Sequence, residues 1–298
     1  MNKLYILPFD HRGSFIKMFG YDEKNLSPED ITSLSDYKHV IYEGFLRALE
    51  MGVPKEPAAI LVDEQFGKKI HEEAKTKGIT RILTIEKSGQ DEFDLEYGDA
   101  FKEHIDALSP QYVKVLVRYN PMSDSAMNQR QRARLKTVSD FCKEGGYKFL
   151  FELLAIPTPQ ELETAGDDKE KYEQGTRWEV MRKSIKEFYE SGIEPEIWKI
   201  EGLESMEQMK AVVNETRSGG RSKVGVVVLG RGESDEKVRV WLSTAAKIEG
   251  VIGFAVGRTV FKESLTRMKS GALSREEAVL QIAKNYKSYA DLFESAKK

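Results

Sequence analysis

The chain is poor in the residues on which several enzyme classes depend. Cys142 is the one cysteine in 298 residues. It cannot close a disulfide within the chain, and it falls inside a helical pattern, a poor place for nucleophilic chemistry. The four histidines, His11, His39, His71 and His104, are scattered through the first third with no zinc-like spacing. A metal-dependent aldolase or isomerase would want several histidines near strand ends, and only His11 is so placed; its ordinary reading is a hydrogen-bonded structural residue. No apolar run approaches the roughly 18 residues of a membrane span. The opening MNKLYILPFD reaches an acidic residue too soon for a signal peptide. A net charge of −3 gives no sign of the basic surface that binds nucleic acid. The expectation is a soluble cytoplasmic protein that acts on a small molecule, with no nucleic-acid or membrane partner, no metal and no organic cofactor.

Strand-length apolar runs, by contrast, recur along the whole chain. They lie at 4–10, 58–64, 81–87, 112–119, 148–154, 196–202, 224–230 and 251–257, eight in all, and each is rich in β-branched or aromatic residues. Amphipathic stretches separate them. The spacing predicts helices over 29–51, 124–144, 168–191, 204–217, 234–246, 258–270 and 274–295. Ser27 and Ser274 stand as N-caps, with Pro28 at a first helical position and Glu277 completing a capping box. The stretch from Pro157 to Asp168 reads as a long loop. Arg130, Arg132, Arg134 and Lys136 make 124–144 strongly basic, which reads first as a solvated helix face and second as a phosphate or partner contact. Eight strand–helix units argue a parallel sheet with helical crossovers, closed as a (β/α)8 barrel in a single domain over 1–298. No G-x-G-x-x-G follows the first strand, which weakens the alternative, an open dinucleotide-binding sheet.

Barrel strands are covered on both faces, so charge on them needs a reason, and barrel active sites lie at strand C-terminal ends. Charged residues near those ends are Asp10 and Arg12, Asp63 and Glu64, Glu86 and Lys87, Arg118, Glu152, and Lys199 with Glu201; Lys114 lies deeper in the fourth run. Lys199 shares a strand face with Ile197 and Glu201. Apolar neighbours and a second cation, Lys114, would lower its pKa, and a neutral amine is what forms a Schiff base. The competing reading is a pair of structural lysines bridged to Glu152 and Glu86. Glu152, Glu86 and Asp10 are candidate general acids or bases. The last two strands end Leu-Gly-Arg-Gly and Val-Gly-Arg-Thr, which places Gly230, Gly232, Gly257 and Arg258 where barrel enzymes bind phosphate.

Several stretches together resemble the class I aldolase-like domain fused behind the kinase domain of bacterial 5-dehydro-2-deoxygluconokinase. They are ILPFDHRGSF (6–15), YVKVLVRYNP (112–121), FELL (151–154), GIEPEIWKIEG (192–202) and GFAVGRTVF (253–261), and the likeness spans about 4–293. A more distant similarity links DHRGS, IEKSG, VKVL, FELL, WKIE and VGR to tagatose-bisphosphate and sulfofructose-phosphate class I aldolases. The resemblance implies Lys199 as the Schiff-base lysine, Lys114 and Glu152 as its strand-four and strand-five partners, and Gly257 and Arg258 at the phosphate. It further implies cleavage of 2-deoxy-5-keto-gluconate 6-phosphate to dihydroxyacetone phosphate and malonate semialdehyde, in inositol catabolism. The sequence departs from the fused pattern in lacking the kinase domain, in Arg231 and Glu233 after strand seven, and in a charged insertion at 160–180.

The expected sequence of events follows. Phosphate docks on Gly230, Gly232, Gly257 and Arg258. Lys199 forms an iminium with the ketone, and a carboxylate, Glu152 before Asp10 or Glu86, removes the hydroxyl proton. Lys114 and Arg12 stabilise charge. Arg12 and Arg118 are placed to read a distal carboxylate, sulfonate or second phosphate, so a tagatose-bisphosphate or sulfosugar-phosphate aldolase is the nearest rival. A non-catalytic sugar-phosphate-binding module is the rival of another class. Barrels of this kind often self-associate as homo-oligomers, although no interface is legible.

Overall fold

A computed structural model describes residues 2–297. Its eight strands are β1 (Leu4–Pro8), β2 (Ala58–Val62), β3 (Thr80–Thr84), β4 (Tyr112–Tyr119), β5 (Lys148–Ala155), β6 (Ile197–Glu201), β7 (Gly225–Leu229) and β8 (Val251–Ala255). Every neighbouring pair is parallel, and β8 returns to β1, so the sheet is a closed barrel in sequence order. This is the (β/α)8 barrel that the alternating pattern predicts. Apart from β4 and β5, the strands stop short of the apolar runs at their C-terminal ends. Asp10, Asp63 and Glu86 therefore lie in the loops just above the sheet rather than in it.

Side-chain alternation divides the core in two. Tyr5, Leu7, Trp198 and Ile200 point out toward the helices and join the large outer core. Leu4, Ile6, Leu61, Ile82, Leu150, Ile197 and Val227 fill the barrel interior. Lys199 has the parity of Ile197, so it rises from that interior layer. At the seam between β1 and β8, Gly253 pairs with Leu4, and a Cβ there would collide with the Leu4 carbonyl. The barrel closes where a side chain is missing.

The helices are α1 (Gly13–Met18), α2 (Pro28–Glu50), α3 (Glu64–Thr76), α4 (Phe101–Leu108), α5 (Ser125–Gly145), α6 (Pro159–Thr164), α7 (Lys169–Gly175), α8 (Arg177–Glu190), α9 (Met206–Thr216), α10 (Asp235–Ala245), α11 (Arg258–Lys269) and α12 (Arg275–Ala296). Ser27 and Ser274 form the expected capping boxes, with Asp30 and Glu277. Among the described residues no helix is long and apolar enough to cross a membrane.

Two expectations change. The stretch from Pro157 to Asp168 is not one loop, because Thr158 caps α6 in a capping box with Glu161 and Pro159 fits the first turn. The helix expected over 168–191 is two, α7 and α8, meeting at Thr176. The basic face of α5 is the surface face of its first reading, with its charges paired to neighbours: Arg130 and Arg134 hold Glu92, Arg132 holds Glu187 and Lys136 holds Asp140.

Candidate active site

Five of the sequence-predicted residues converge at the C-terminal mouth of the barrel. Lys114 Nζ, 1% exposed, lies 2.8 Å from Asp10 Oδ2, 2.6 Å from Glu86 Oε1 and 3.0 Å from Glu152 Oε2. Lys199 Nζ lies 2.6 Å from Glu152 Oε1. One carboxylate thus joins the two ammonium groups, while Lys114 alone carries two more. Adjacent strands produce this directly. Glu152 is the register partner of Lys199, and Lys114 is the partner of Leu150, two residues below Glu152 on β5.

Burial by itself would lower the Lys114 pKa, but Asp10, Glu152 and Glu86 together hold the ammonium well above its ordinary range. The carboxylates answer in kind. Burial would raise Asp10, yet the Lys114 ammonium, helped by His11 and Lys199, brings it below the usual carboxylate range. Glu152 is likewise lowered against its burial by Lys114 and Lys199. This is a buried, mutually paired cluster with two amines against three carboxylates, in which Glu86 Oε2 and Glu152 Oε2 have no hydrogen-bond partner among the described residues.

The cluster floors a cavity with two lobes that share His11, Ser14, Leu116, Arg118, Glu152 and Lys199. The smaller lobe, about 260 Å³, is lined by Gly230, Arg231, Gly232, Gly257, Arg258 and Thr259. Gly257 precedes α11 without a side-chain cap, and Arg258 and Thr259, whose N–H groups open the helix ahead of its first intrahelical bonds, line this lobe. A Cβ at Gly257 would collide with the Pro8 carbonyl. Arg258 donates to the Arg231 carbonyl at 3.0 Å. Gly232 adopts φ +81° and Arg231 φ +53°, which bends the backbone into this contact.

The larger lobe, about 530 Å³, is roofed by the segment that follows β3. Glu86 and Leu95 form an antiparallel bridge, and Lys87 N–H donates to the Asp94 carbonyl. The tip of this small hairpin is tied down by Arg118, which donates to the Gln90 carbonyl at 2.8 Å, and by Glu92 between Arg130 and Arg134. Arg12 lines the lobe but is engaged by Glu96 at 2.7 Å and by the Glu86 carbonyl. Both arginines expected at the distal end of a ligand therefore also anchor the roof.

Other strand-end charges go elsewhere. Asp63 caps α3 through Phe66 N–H and pairs with the fully buried Lys38 of α2. Glu64 binds His104, which stacks on Tyr97. Glu201, fully buried, is taken by Arg177 at 3.2 Å and Arg231 at 2.9 Å, and burial raises its pKa. Arg231 also reaches Glu173 of α7 at 2.6 Å, so the charged insertion docks beside the smaller lobe. Strand-end reasoning missed Lys38, although its position is legible: Leu34, Lys38, Ile41 and Phe45 form one buried stripe of α2, with lysine in an apolar slot. Among the described residues no group of three or more His, Cys, Asp or Glu is arranged to hold a metal ion.

Residues 1–297 match a family described as "Uncharacterized protein conserved in bacteria (DUF2090)". No curated protein matches the chain. Among solved structures, the chain is similar to a fructose-bisphosphate aldolase from Plasmodium falciparum, crystallised with TRAP and a small-molecule inhibitor. The TM-score is 0.69 at 13% identity, over 100% of this chain and 92% of that one. It is also similar to Cgl0159 from Corynebacterium glutamicum, with TM-score 0.55 and 14% identity over 96% of this chain and 86% of that one. At these identities the likeness is one of fold, an aldolase-like barrel.

Proposed function

We propose that this chain, which belongs to the bacterial DUF2090 family, is a class I aldolase that cleaves a phosphorylated keto-sugar through a Schiff base on Lys199. The observation that carries the reading is the placement of Lys199. It stands at the centre of β6, two residues before the strand ends at Glu201, and lies 2.6 Å from Glu152, where a glycine- and arginine-lined lobe meets a larger one.

An amine must be neutral to attack a carbonyl. Glu152 is the acceptor for the Lys199 proton, and the carboxylic acid so formed returns it to the carbinolamine oxygen as water leaves. The resulting iminium is an electron sink. Glu152 then takes the proton of the hydroxyl on the second carbon from the iminium carbon, on the side away from the phosphate. The bond between that carbon and its neighbour breaks, and the electron pair is held as an enamine. Protonation of the enamine and hydrolysis release the phosphate-bearing ketone and free the lysine. Asp10 and Glu86 are the alternative bases. Lys114 holds all three carboxylates in place and offsets their charge. Gly230, Gly232, Gly257 and Arg258 take the phosphate.

The substrate we favour is 2-deoxy-5-keto-gluconate 6-phosphate, giving dihydroxyacetone phosphate and malonate semialdehyde. The phosphate there is one carbon from the ketone, which suits a small phosphate lobe beside Lys199, and the acid tail would reach Arg12 and Arg118 in the larger lobe. The same two arginines suit a second phosphate or a sulfonate, so a tagatose-bisphosphate or sulfosugar-phosphate aldolase is the second reading. Incubation with dihydroxyacetone phosphate, borohydride reduction and peptide mass spectrometry test the chemistry. A stable adduct on Lys199 is expected, insensitive to chelator. Phosphate binding without any adduct would leave a sugar-phosphate-binding module, and loss of turnover with chelator would indicate metal-dependent chemistry.

A further inference from the structure

The sequence gives His11 no task, and the ordinary reading makes it a hydrogen-bonded structural residue. Its surroundings differ from that expectation. The ring lines both lobes of the cavity, beside the shared Lys199 and Glu152. Nδ1 is buried without a hydrogen-bond partner among the described residues. Nε2 is not among the fully buried unpaired atoms and has no hydrogen bond among the described residues, so it is the ring nitrogen left open to the cavity. A buried polar atom left unpaired costs about 1–3 kcal/mol, so a ring kept in such a place calls for an explanation.

The backbone beneath the ring is fixed. Lys38 Nζ donates to the His11 carbonyl at 3.0 Å while paired with Asp63, and both side chains are buried. The Lys38 ammonium also lies 5.2 Å from the Phe15 ring and 5.4 Å from the Phe66 ring. Phe261 of α11 meets the imidazole edge-on at 6.3 Å. The charged groups around His11 are Asp10 beside it, Arg258 from α11, Lys199 from β6 and Lys38 from α2. Burial, opposed by Asp10 and supported by the three cations, pushes the imidazole down to about 4. It is a neutral ring at working pH, with one donor and one acceptor, which suits a hydroxyl rather than a phosphate.

Resting on the aldolase reading above, we infer that His11 is a substrate-contacting residue whose imidazole hydrogen-bonds the hydroxyl on the carbon next to the ketone, on the side away from the phosphate. A ligand that holds its phosphate in the small lobe and its ketone at Lys199 presents that hydroxyl where the two lobes meet, and His11 lines that junction. The contact selects ketoses over deoxyketones.

Two probes isolate the hydroxyl. Dihydroxyacetone phosphate carries it; hydroxyacetone phosphate is identical but lacks it. Both can be trapped on Lys199 with borohydride. For the unaltered protein, half-saturation of trapping is expected at about tenfold lower concentration of dihydroxyacetone phosphate, the worth of one hydrogen bond. His11→Leu should erase that preference by weakening only the hydroxylated probe, and His11→Gln should restore part of it. Thermal midpoints of both variants check that the fold is kept. If His11→Leu retains the preference, or weakens both probes equally, His11 is structural and the inference is wrong. If the unaltered protein gives no adduct with either probe, the aldolase reading fails and takes this role with it.

Discussion

Glu152 and Lys199 are register partners on adjacent strands, and Glu152 Oε1 lies 2.6 Å from Lys199 Nζ. The other oxygen of the same carboxylate lies 3.0 Å from Lys114 Nζ. The two lysines are therefore chemically unequal. Lys114 is held by three carboxylates below the cavity, and an amine so held is a poor nucleophile. Lys199 has one carboxylate and lines both lobes. That asymmetry favours Lys199 over Lys114 in the proposed Schiff-base chemistry, and it makes Glu152, which pairs with both lysines, the first choice as the group that passes a proton between nucleophile and substrate.

Glu152→Gln should accordingly leave the barrel folded and phosphate binding intact while lowering kcat by about 10²–10⁴. The amide can still accept from one lysine through its oxygen, but its NH2 is a donor and the group cannot take up a proton. Steady-state kinetics, with borohydride trapping to separate Schiff-base formation from cleavage, check this. A loss below about threefold would move the general base to Asp10 or Glu86.

Lys114→Met should damage the fold more than the loss of one side chain suggests. Asp10, Glu86 and Glu152 would be left buried around an apolar group. Breaking a buried ion pair by removing one partner costs about 3–5 kcal/mol, so the thermal midpoint should drop by roughly 10 °C. Adding Asp10→Asn to Lys114→Met should recover part of the loss, because one orphaned charge is then gone. Calorimetry on the single and double variants reads both effects.

Much of this site is legible in the sequence because a parallel barrel turns strand order into spatial order. Charge at the ends of apolar runs finds Asp10, Glu86, Glu152 and Lys199, and alternation puts Lys199 inside with Ile197. The same logic is blind to groups that reach the site from helices and loops. Lys38 comes from the middle of α2, and Gln90 binds Arg118 through a backbone carbonyl, which no side-chain pattern reveals. Thr158-Pro159-Gln160-Glu161 carries a capping box, yet the surrounding Pro, Thr and Gly residues read as a loop. Gly175 and Thr176 divide two helices where the charge pattern runs on unbroken.

Stability should fall with acid in two stages. Burial holds His71, which is fully buried, at about 4, below the ordinary histidine value of 6.5. Between those values the unfolded chain binds a proton that the folded chain refuses, so stability decreases as pH drops from about 6.5 to 4, by on the order of 3 kcal/mol. Asp10 and Glu152 are depressed in the fold, so their contribution is present above the ordinary carboxylate range and is lost only as pH falls below it. Lys114 is raised, so its contribution persists below its ordinary value of 10.5 and is lost only in stronger alkali. Urea denaturation across pH measures the slope. His11 is held at about 4 as well, so His71→Gln should remove about half of the first stage and leave the second.

Gly232→Ala tests the phosphate lobe without touching a charged residue. Gly232 holds φ +81°, and a Cβ there would lie 2.8 Å from Arg258 Cζ. The methyl group must push the guanidinium off the Arg231 carbonyl, to which Arg258 now donates at 3.0 Å. The left-handed backbone adds about 1–2 kcal/mol of strain. Gly271→Ala is the matched control: it has φ +75°, but nothing lies within 4 Å of its Cβ position, so it carries the strain alone. Both variants should lose stability, Gly232→Ala by the larger amount because it also displaces the guanidinium. Gly232→Ala alone should raise the half-saturating dihydroxyacetone phosphate concentration, by about tenfold if the displaced guanidinium is worth one charge-assisted hydrogen bond. Equal probe affinity in the two variants would remove Arg258 from the phosphate site and leave the N-terminus of α11 to hold the anion.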